Sequence, residues 1–342
     1  MSITDPPDLV AALPPLFGFT PSESVVGLAL HGRPGRLRLG ASVRIDLGRG
    51  PDDDAVLAAA VRDRLVPTGP DAVIVVVVSA DPVSDDGRPP HAGLVDAVTD
   101  AFGQQRVRVE GAVWAERVVA GGPWRCYDPC DCSGTLPDPG GTRTAAEMTG
   151  LGRVTYGSRE EVAASLAPDP AARSRRRRDL VDDAHRAAAL DRELAGPAAV
   201  RRDLATVRRA AAEVGRGGVL TEEEVAALAA ALSDKQVRDV CLGFAAEQDP
   251  EVDPVHAEEL WRVLVRAVPA PEVAEPATLL AFASLDHGGG ATLTTALDRA
   301  WTADPEHELS RLLQRVLALG NGPEHARRIA VEGAAETRRR VG

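Results

Sequence analysis

Sulfur, aromatic rings and lysine are all scarce in this chain. Four cysteines, two methionines, five phenylalanines, four tryptophans and two tyrosines serve 342 residues. So little cysteine excludes a disulfide scaffold, and so few rings leave alanine, valine and leucine to fill any core. Lys235 is the one lysine among 39 basic residues. With the heavy use of Ala, Gly, Pro, Val and Asp, this points to a GC-rich coding sequence, a mutational signature before a functional one. Long apolar runs are also missing. The longest, Ala72–Val78, is far below the roughly 20 residues that cross a bilayer, so no membrane association is expected. Positive charge is in deficit: the net charge is −12. Residues 1–167 carry 15 basic and 22 acidic side chains, and residues 168–342 carry 24 and 29. No basic domain hides behind an acidic one, which excludes a general nucleic-acid binder. The start, Met-Ser-Ile-Thr-Asp-Pro-Pro, has no charged and apolar leader pattern. A cytoplasmic location with reduced thiols is therefore expected.

What is there reads as two domains. Asp8–Leu13 reads as a short helix stopped by Pro14-Pro15. Ser24–Leu30 reads as a strand, His31–Gly35 as a turn and Arg36–Leu47 as a second strand. In the latter, Leu37, Leu39, Ala41, Val43, Ile45 and Leu47 share one face, the pattern of a half-buried antiparallel hairpin. Asp52–Leu65 is a helix with acidic residues in its first turn, and Ala72–Ser79 is a continuous apolar strand that belongs at a sheet centre. A loop over 81–90, a helix over Leu94–Phe102 and a strand or strand pair over Val107–Val119 complete a mixed-sheet α/β domain. Residues 133–143 read as a loop, Thr144–Leu151 as a helix and Arg153–Tyr156 as a strand. Ser158 and Glu161 form a capping box for a helix ending near Leu166.

Ala167-Pro168-Asp169-Pro170 marks the boundary, giving domains 1–167 and 168–342. The second reads as all-α, with helices over 171–195, 197–214, 221–232, 234–247, 254–267, 272–285, 290–303, 306–319 and 323–338. Short connections suggest stacked helical hairpins. Leu279–Ala283 and Thr295–Pro305 look like part of a tetratricopeptide-type pair, with a plain bundle equally compatible. The fold class is thus mixed α+β, an α/β domain followed by a tetratricopeptide-like helical domain.

Cys126, Cys130 and Cys132 fall within seven residues. Thiols that close can grip a soft metal, zinc above all, form a disulfide, or stay a reduced, partly buried knuckle. The C-x3-C-x-C spacing lacks a second couplet, no histidine pair supplies one, and Cys241 completes a set only if the two halves meet there. The inert knuckle is the favoured reading and no cofactor is expected; the metal and redox readings stay open. A second patch runs from Leu13 to Val26, where Phe17 and Phe19 flank a turn at Gly18 and Ser22 and Ser24 offer hydroxyls at a sheet end. No G-x-S-x-G elbow accompanies them. Arg44 and Asp46 share a strand face, as an ion pair or as ligands of a polar substrate. With Trp124, these make the candidate ligand-binding set. Asp52–Asp54 is explained by a helix start, and Arg175–Arg178 by pairing with Asp179, Asp182 and Asp183 at helical spacing. Gly288–Gly290 lacks the strand and the Gly-Lys-Ser/Thr of a phosphate loop, and no dinucleotide fingerprint occurs.

The entry motif PPLFGFTPSESVVGL, Val43–Leu47, Trp124–Cys132, Gly152–Val154 with Ser158–Glu161, and Ala296–Pro305 together resemble the actinobacterial family of unknown function numbered 4192. The likeness runs over roughly residues 8–320. In that family the cluster usually ends in adjacent cysteines, whereas here Asp131 separates Cys130 from Cys132. The resemblance implies an arrangement and carries no activity. The expectation is a non-enzymatic interaction or regulatory protein. Its helical domain would dock a protein partner and its α/β domain would take a small ligand, with self-association left open. The alternatives are a hydrolase or transferase with a pocket between Phe17–Ser24, Arg44/Asp46 and the cysteine loop, and a thiol or zinc sensor.

Overall fold

The computed structural model describes residues 5–341 apart from 34–35, 49, 86, 129, 131, 152, 247–248, 286–289 and 319–321. Pro34 and Gly35 of the expected turn, Asp131 of the cysteine segment, and His287, Gly288 and Gly289 lie outside the described residues. The chain divides into two compact units, Met1–Glu161 and Val162–Gly342.

The first unit is built on a six-stranded sheet of order β2-β1-β3-β4-β5-β6. Its strands are β1 (Ser24–His31), β2 (Arg38–Asp46), β3 (Ala72–Val78), β4 (Arg108–Ala115), β5 (Pro123–Cys126) and β6 (Ser133–Thr135). The apolar runs of β1 and β3 become central strands, buried along both faces. β1 pairs antiparallel with both β2 and β3, while β3 and β4 run parallel. A parallel pair needs a crossover, and α4 (Ala92–Gly103) supplies it. It lies beside α3 (Asp54–Leu65) on one sheet face, where Val61, Leu65, Leu94, Val98 and Phe102 meet Val25, Ala29, Val73, Val75 and Val77. The alternating residues of β2, Ala41, Val43 and Ile45, pack against the same core. Gly27 allows the close approach: a Cβ there would lie 2.7 Å from Val61 Cγ1 and 2.8 Å from Leu65 Cδ1.

The short helix α1 (Pro6–Ala11) ends ahead of Pro14 and Pro15, and the pair lies in the first turn of a second short helix, α2 (Leu13–Phe17), where proline's missing N–H has no intrahelical partner to lose. Three local expectations are corrected. The segment after the cysteines is not all loop, since Ser133–Thr135 forms the edge strand β6. Arg153–Tyr156 is not a strand; Tyr156 makes an isolated bridge with Phe19. The run Arg175–Arg178 pairs away from its own helix: Arg176 and Arg177 reach Glu222 at 3.0 and 3.3 Å, and Arg177 donates to Ala267 O. The capping box at Ser158 forms with a shift. Ser158 Oγ accepts from Glu161 N–H, but the Glu161 carboxylate accepts from Gly157 N–H.

The first unit also holds α5 (Arg143–Gly150), and α6 (Arg159–Ser165) spans the division at 161/162. The second unit is helical: α7 (Arg175–Ala195), α8 (Pro197–Gly215), α9 (Glu222–Leu232), α10 (Lys235–Leu242), α11 (Pro254–Ala267), α12 (Ala274–Leu285), α13 (Gly290–Ala303), α14 (Glu308–Ala318) and α15 (Gly322–Val341). Each lies where the sequence periodicity places a helix, with α10 ending five residues early. Consecutive α12 and α13 pack together, while α8 against α11 and α10 against α15 join helices distant in sequence. Small residues line this core, and Trp261 stacks on Phe244 with ring centroids 6.3 Å apart. Among the described residues, no helix is long and apolar enough to cross a membrane.

Candidate functional site

The Leu13–Val26 patch folds as an anchor. Gly18 takes φ 76° and ends α2 by donating to Pro14 O. A left-handed residue here suits glycine, which has no Cβ to clash. The Phe17 and Phe19 rings lie 6.3 Å apart, and the Arg44 guanidinium sits 5.5 Å above the Phe19 ring. Arg44 also donates to Ser22 O at 3.1 Å and pairs with Asp46 at 2.5 Å. With its side chain 12% exposed, Arg44 is engaged by its own neighbours. Ser24 is fully buried between Asp46 of β2 and Val78 of β3. Phe17, Phe19, Ser22, Ser24, Arg44 and Asp46 thus gather at one end of the sheet. Trp124 lies at the same end but on β5, three strands from β1, which at the strand spacing is about 14 Å.

The groups with open chemistry sit where β3 leaves the sheet. Ser79 is 0% exposed, and its carbonyl accepts from the Trp114 indole N–H at 3.0 Å. Its hydroxyl donates to the Glu23 carboxylate at 3.2 Å, and Glu23 also accepts from Ala80 N–H at 2.8 Å. That leaves the Ser79 lone pairs for Asp81 N–H at 3.1 Å and His91 Nε2 at 3.2 Å. The His91 tautomer, Nε2–H, follows from this network. Asp81 Oδ2 lies 3.0 Å from the same ring nitrogen. Glu23 and His91 hold φ of 38° and 61°, two of the three non-glycine residues with positive φ among those described. Strain of that kind persists only where its surroundings over-determine it.

Beside this quartet opens a cleft of about 430 Å³, lined by Leu47, Gly48, Gly50, Asp54, Leu57, Asp81, His91, Ala92, Gly93 and Leu94. It faces the first turn of α4, whose initial N–H groups precede the first intrahelical bond, at Val95. Burial raises the Asp54 carboxyl above the ordinary carboxylate value, against the opposing pull of His91. No sequence motif marks these residues. The one available signal was positional: Ser79-Ala80-Asp81 ends a central strand, and ligands of open α/β sheets collect at strand carboxyl ends.

The cysteines form a second locus. Cys126 ends β5 opposite Val113 of β4 and is buried, while Cys130 and Cys132 are exposed. Cys126 N–H donates to Cys132 O at 2.8 Å, and the three Sγ atoms lie within 4.8 Å of one another. All three are free thiols. Burial, followed by the neighbouring Cys130, pushes the Cys126 thiol up to about 12, whereas hydrogen bonding with Cys132 holds Cys130 below the ordinary thiol range. Cys241 is buried in the helical core. The residues on either side of Cys126 reach the loop that leads to His91: Arg125 donates to Gly87 O at 2.7 Å and Tyr127 to Pro90 O at 2.6 Å.

No curated protein and no solved structure matches this chain. A family model does. The one described as "Domain of unknown function (DUF4192)" matches residues 6–324, and the chain belongs to that family.

Proposed function

We propose that this is a non-enzymatic, cytoplasmic regulatory protein whose α/β unit binds a small polar molecule in the His91–Asp54 cleft and whose helical unit engages a protein partner. The observation that carries the reading is the convergence of two strained residues, Glu23 and His91, on the buried Ser79 beside a cleft of about 430 Å³. That volume falls in the range of ligand pockets, about 300–1,000 Å³. Asp54 and Asp81 offer acceptors and Leu47, Leu57 and Leu94 an apolar wall. Such a lining suits a ligand with a protonated amine or neighbouring hydroxyls on a small apolar frame. On α7, Leu190 and Leu194 stand one turn apart, 56% and 77% exposed, which favours a partner for the helical unit.

An acyl-transfer enzyme receives less support. Ser79 is buried beyond reach of a substrate, and it shares one imidazole nitrogen with Asp81. A working relay instead places nucleophile and carboxylate on opposite ring nitrogens. The test is ligand-observed NMR of the full chain against amino sugars, polyols and amino acids. At least one binder is expected, weakened about tenfold (about 1.4 kcal/mol) by Asp54→Asn. Gly93→Val should abolish binding, because a Cβ at Gly93 lies 3.1 Å from Asp54 Oδ2 and the side chain would fill the cleft. A panel without binders, or binders indifferent to both substitutions, refutes the proposal.

A further inference from the structure

The structure assigns a second site, apart from the cleft: we infer that Cys126, Cys130 and Cys132 form a three-thiolate site for a soft divalent cation, zinc in the first instance. Sequence spacing argued against a metal because no second couplet follows the first. Tertiary structure removes that objection by bringing all three sulfurs within 4.8 Å of one another without one. The backbone does this. β5 and β6 pair antiparallel, and the Cys126 N–H to Cys132 O bond of 2.8 Å extends that pairing by one rung. Cys126 and Cys132 therefore face each other across two strands, and Cys130 lies at the turn between them. Zinc–sulfur bonds of about 2.3 Å in a tetrahedron place sulfurs about 3.8 Å apart. Closing the present spacing needs shifts of about 1 Å at most, which fall on the exposed Cys130 and Cys132 side chains.

The burial pattern also sets the coordination. Among the described residues no fourth ligand joins the three sulfurs, so with Cys126 as the buried floor and Cys130 and Cys132 as the exposed rim, a fourth position would open to solvent. Three protein ligands with one open position is the arrangement of a zinc site that exchanges a ligand, whereas structural sites close with four. Water or a small external thiol or carboxylate would occupy the fourth position. Binding displaces up to three thiol protons to solvent, with no change of oxidation state.

The experiment uses the full chain, purified anaerobically without an affinity metal tag or chelator, and two probes, Zn²⁺ and Co²⁺. Elemental analysis should find one zinc per chain. Cobalt substitution should show thiolate-to-metal charge transfer with the intense visible bands of a tetrahedral site. Cys130→Ser and Cys132→Ser alter exposed positions and should leave the circular dichroism unchanged. Each should weaken zinc, measured against a competing chelator, by at least about a hundredfold, the upper end of what losing an outer-shell contact costs. Cys126→Ser is the third variant, read only if it folds. Reduced protein with no cobalt–thiolate band overturns the inference. Zinc affinity unchanged in both surface variants, or a disulfide between two of the three cysteines in anaerobically prepared protein, also overturns it.

Discussion

Replacing Ser79 with alanine tests whether the quartet at the end of β3 is the lock that holds the cleft. The alanine methyl fits the space of the serine Cβ, so the cavity contribution is small and the loss is one of hydrogen bonds. Three involve the hydroxyl: to Glu23 at 3.2 Å, from Asp81 N–H at 3.1 Å and with His91 Nε2 at 3.2 Å. Each contributes about 1 kcal/mol net. Two partners keep an alternative, since Glu23 retains Ala80 N–H and His91 retains Asp81. The expected destabilisation is therefore about 2 kcal/mol rather than three full bonds. At about 2–4 °C per kcal/mol for a unit of this size, the melting transition should fall by about 4–8 °C. Trp114 is a built-in reporter, because its indole donates to Ser79 O; a Trp114→Phe control identifies its share of the fluorescence. Glu23→Gln combined with Ser79→Ala should cost less than the two separately, by about 1 kcal/mol. A loss below about 0.5 kcal/mol, with unchanged imidazole signals from His91, would refute the claim that Ser79 joins these residues.

Asp54→Asn should stabilise the protein at neutral pH. The folded pKa of Asp54 is raised, so the folded state holds more protons than the unfolded one and stability falls as pH climbs from the ordinary carboxylate value through the raised one. Melting of the two proteins from acid to neutral pH should converge at the acid end, and parallel curves would contradict this. In metal-free reduced protein, alkylation at neutral pH followed by mass spectrometry should label Cys130 first, Cys126 much later and Cys241 last, following their exposure and the direction of their shifts. Early labelling of Cys126 would mean that β5 opens readily. Gly27→Ala should cost about 1–3 kcal/mol by overpacking, since its Cβ would press on Val61 and Leu65; Val61→Ala in the same chain should recover part of the loss in urea unfolding. Zinc should slow hydrogen exchange at the amides of Gly87, Arg88 and His91, because Arg125 and Tyr127 tie that loop to the strand that ends in Cys126. Exchange there that ignores zinc would separate the two sites.

Periodicity by itself determined much of this protein. The alternation of β2, the unbroken apolar run of β3 and the spacing of apolar residues after position 170 are local records of burial, because a side chain's direction repeats with its secondary structure. The grouping of Phe17, Phe19, Ser22, Ser24, Arg44 and Asp46 was also legible, since adjacent strands of one hairpin bring them to the same end. Their role as an anchor was not, because it rests on Arg44 lying over Phe19 and donating to Ser22 O. Only tertiary structure decided that Glu23, Ser79 and His91 meet. They are separated by 56 and 12 positions, and β1 reaches β3 through pairing that leaves no mark on either strand's own pattern. The same holds for the thiols. Their nearness in sequence was plain, but their convergence depends on β5 pairing with the short edge strand β6, whose three residues Ser133–Thr135 carry too little apolar alternation to announce a strand. Local pattern records which face of an element is buried, and long-range pairing decides what that face meets.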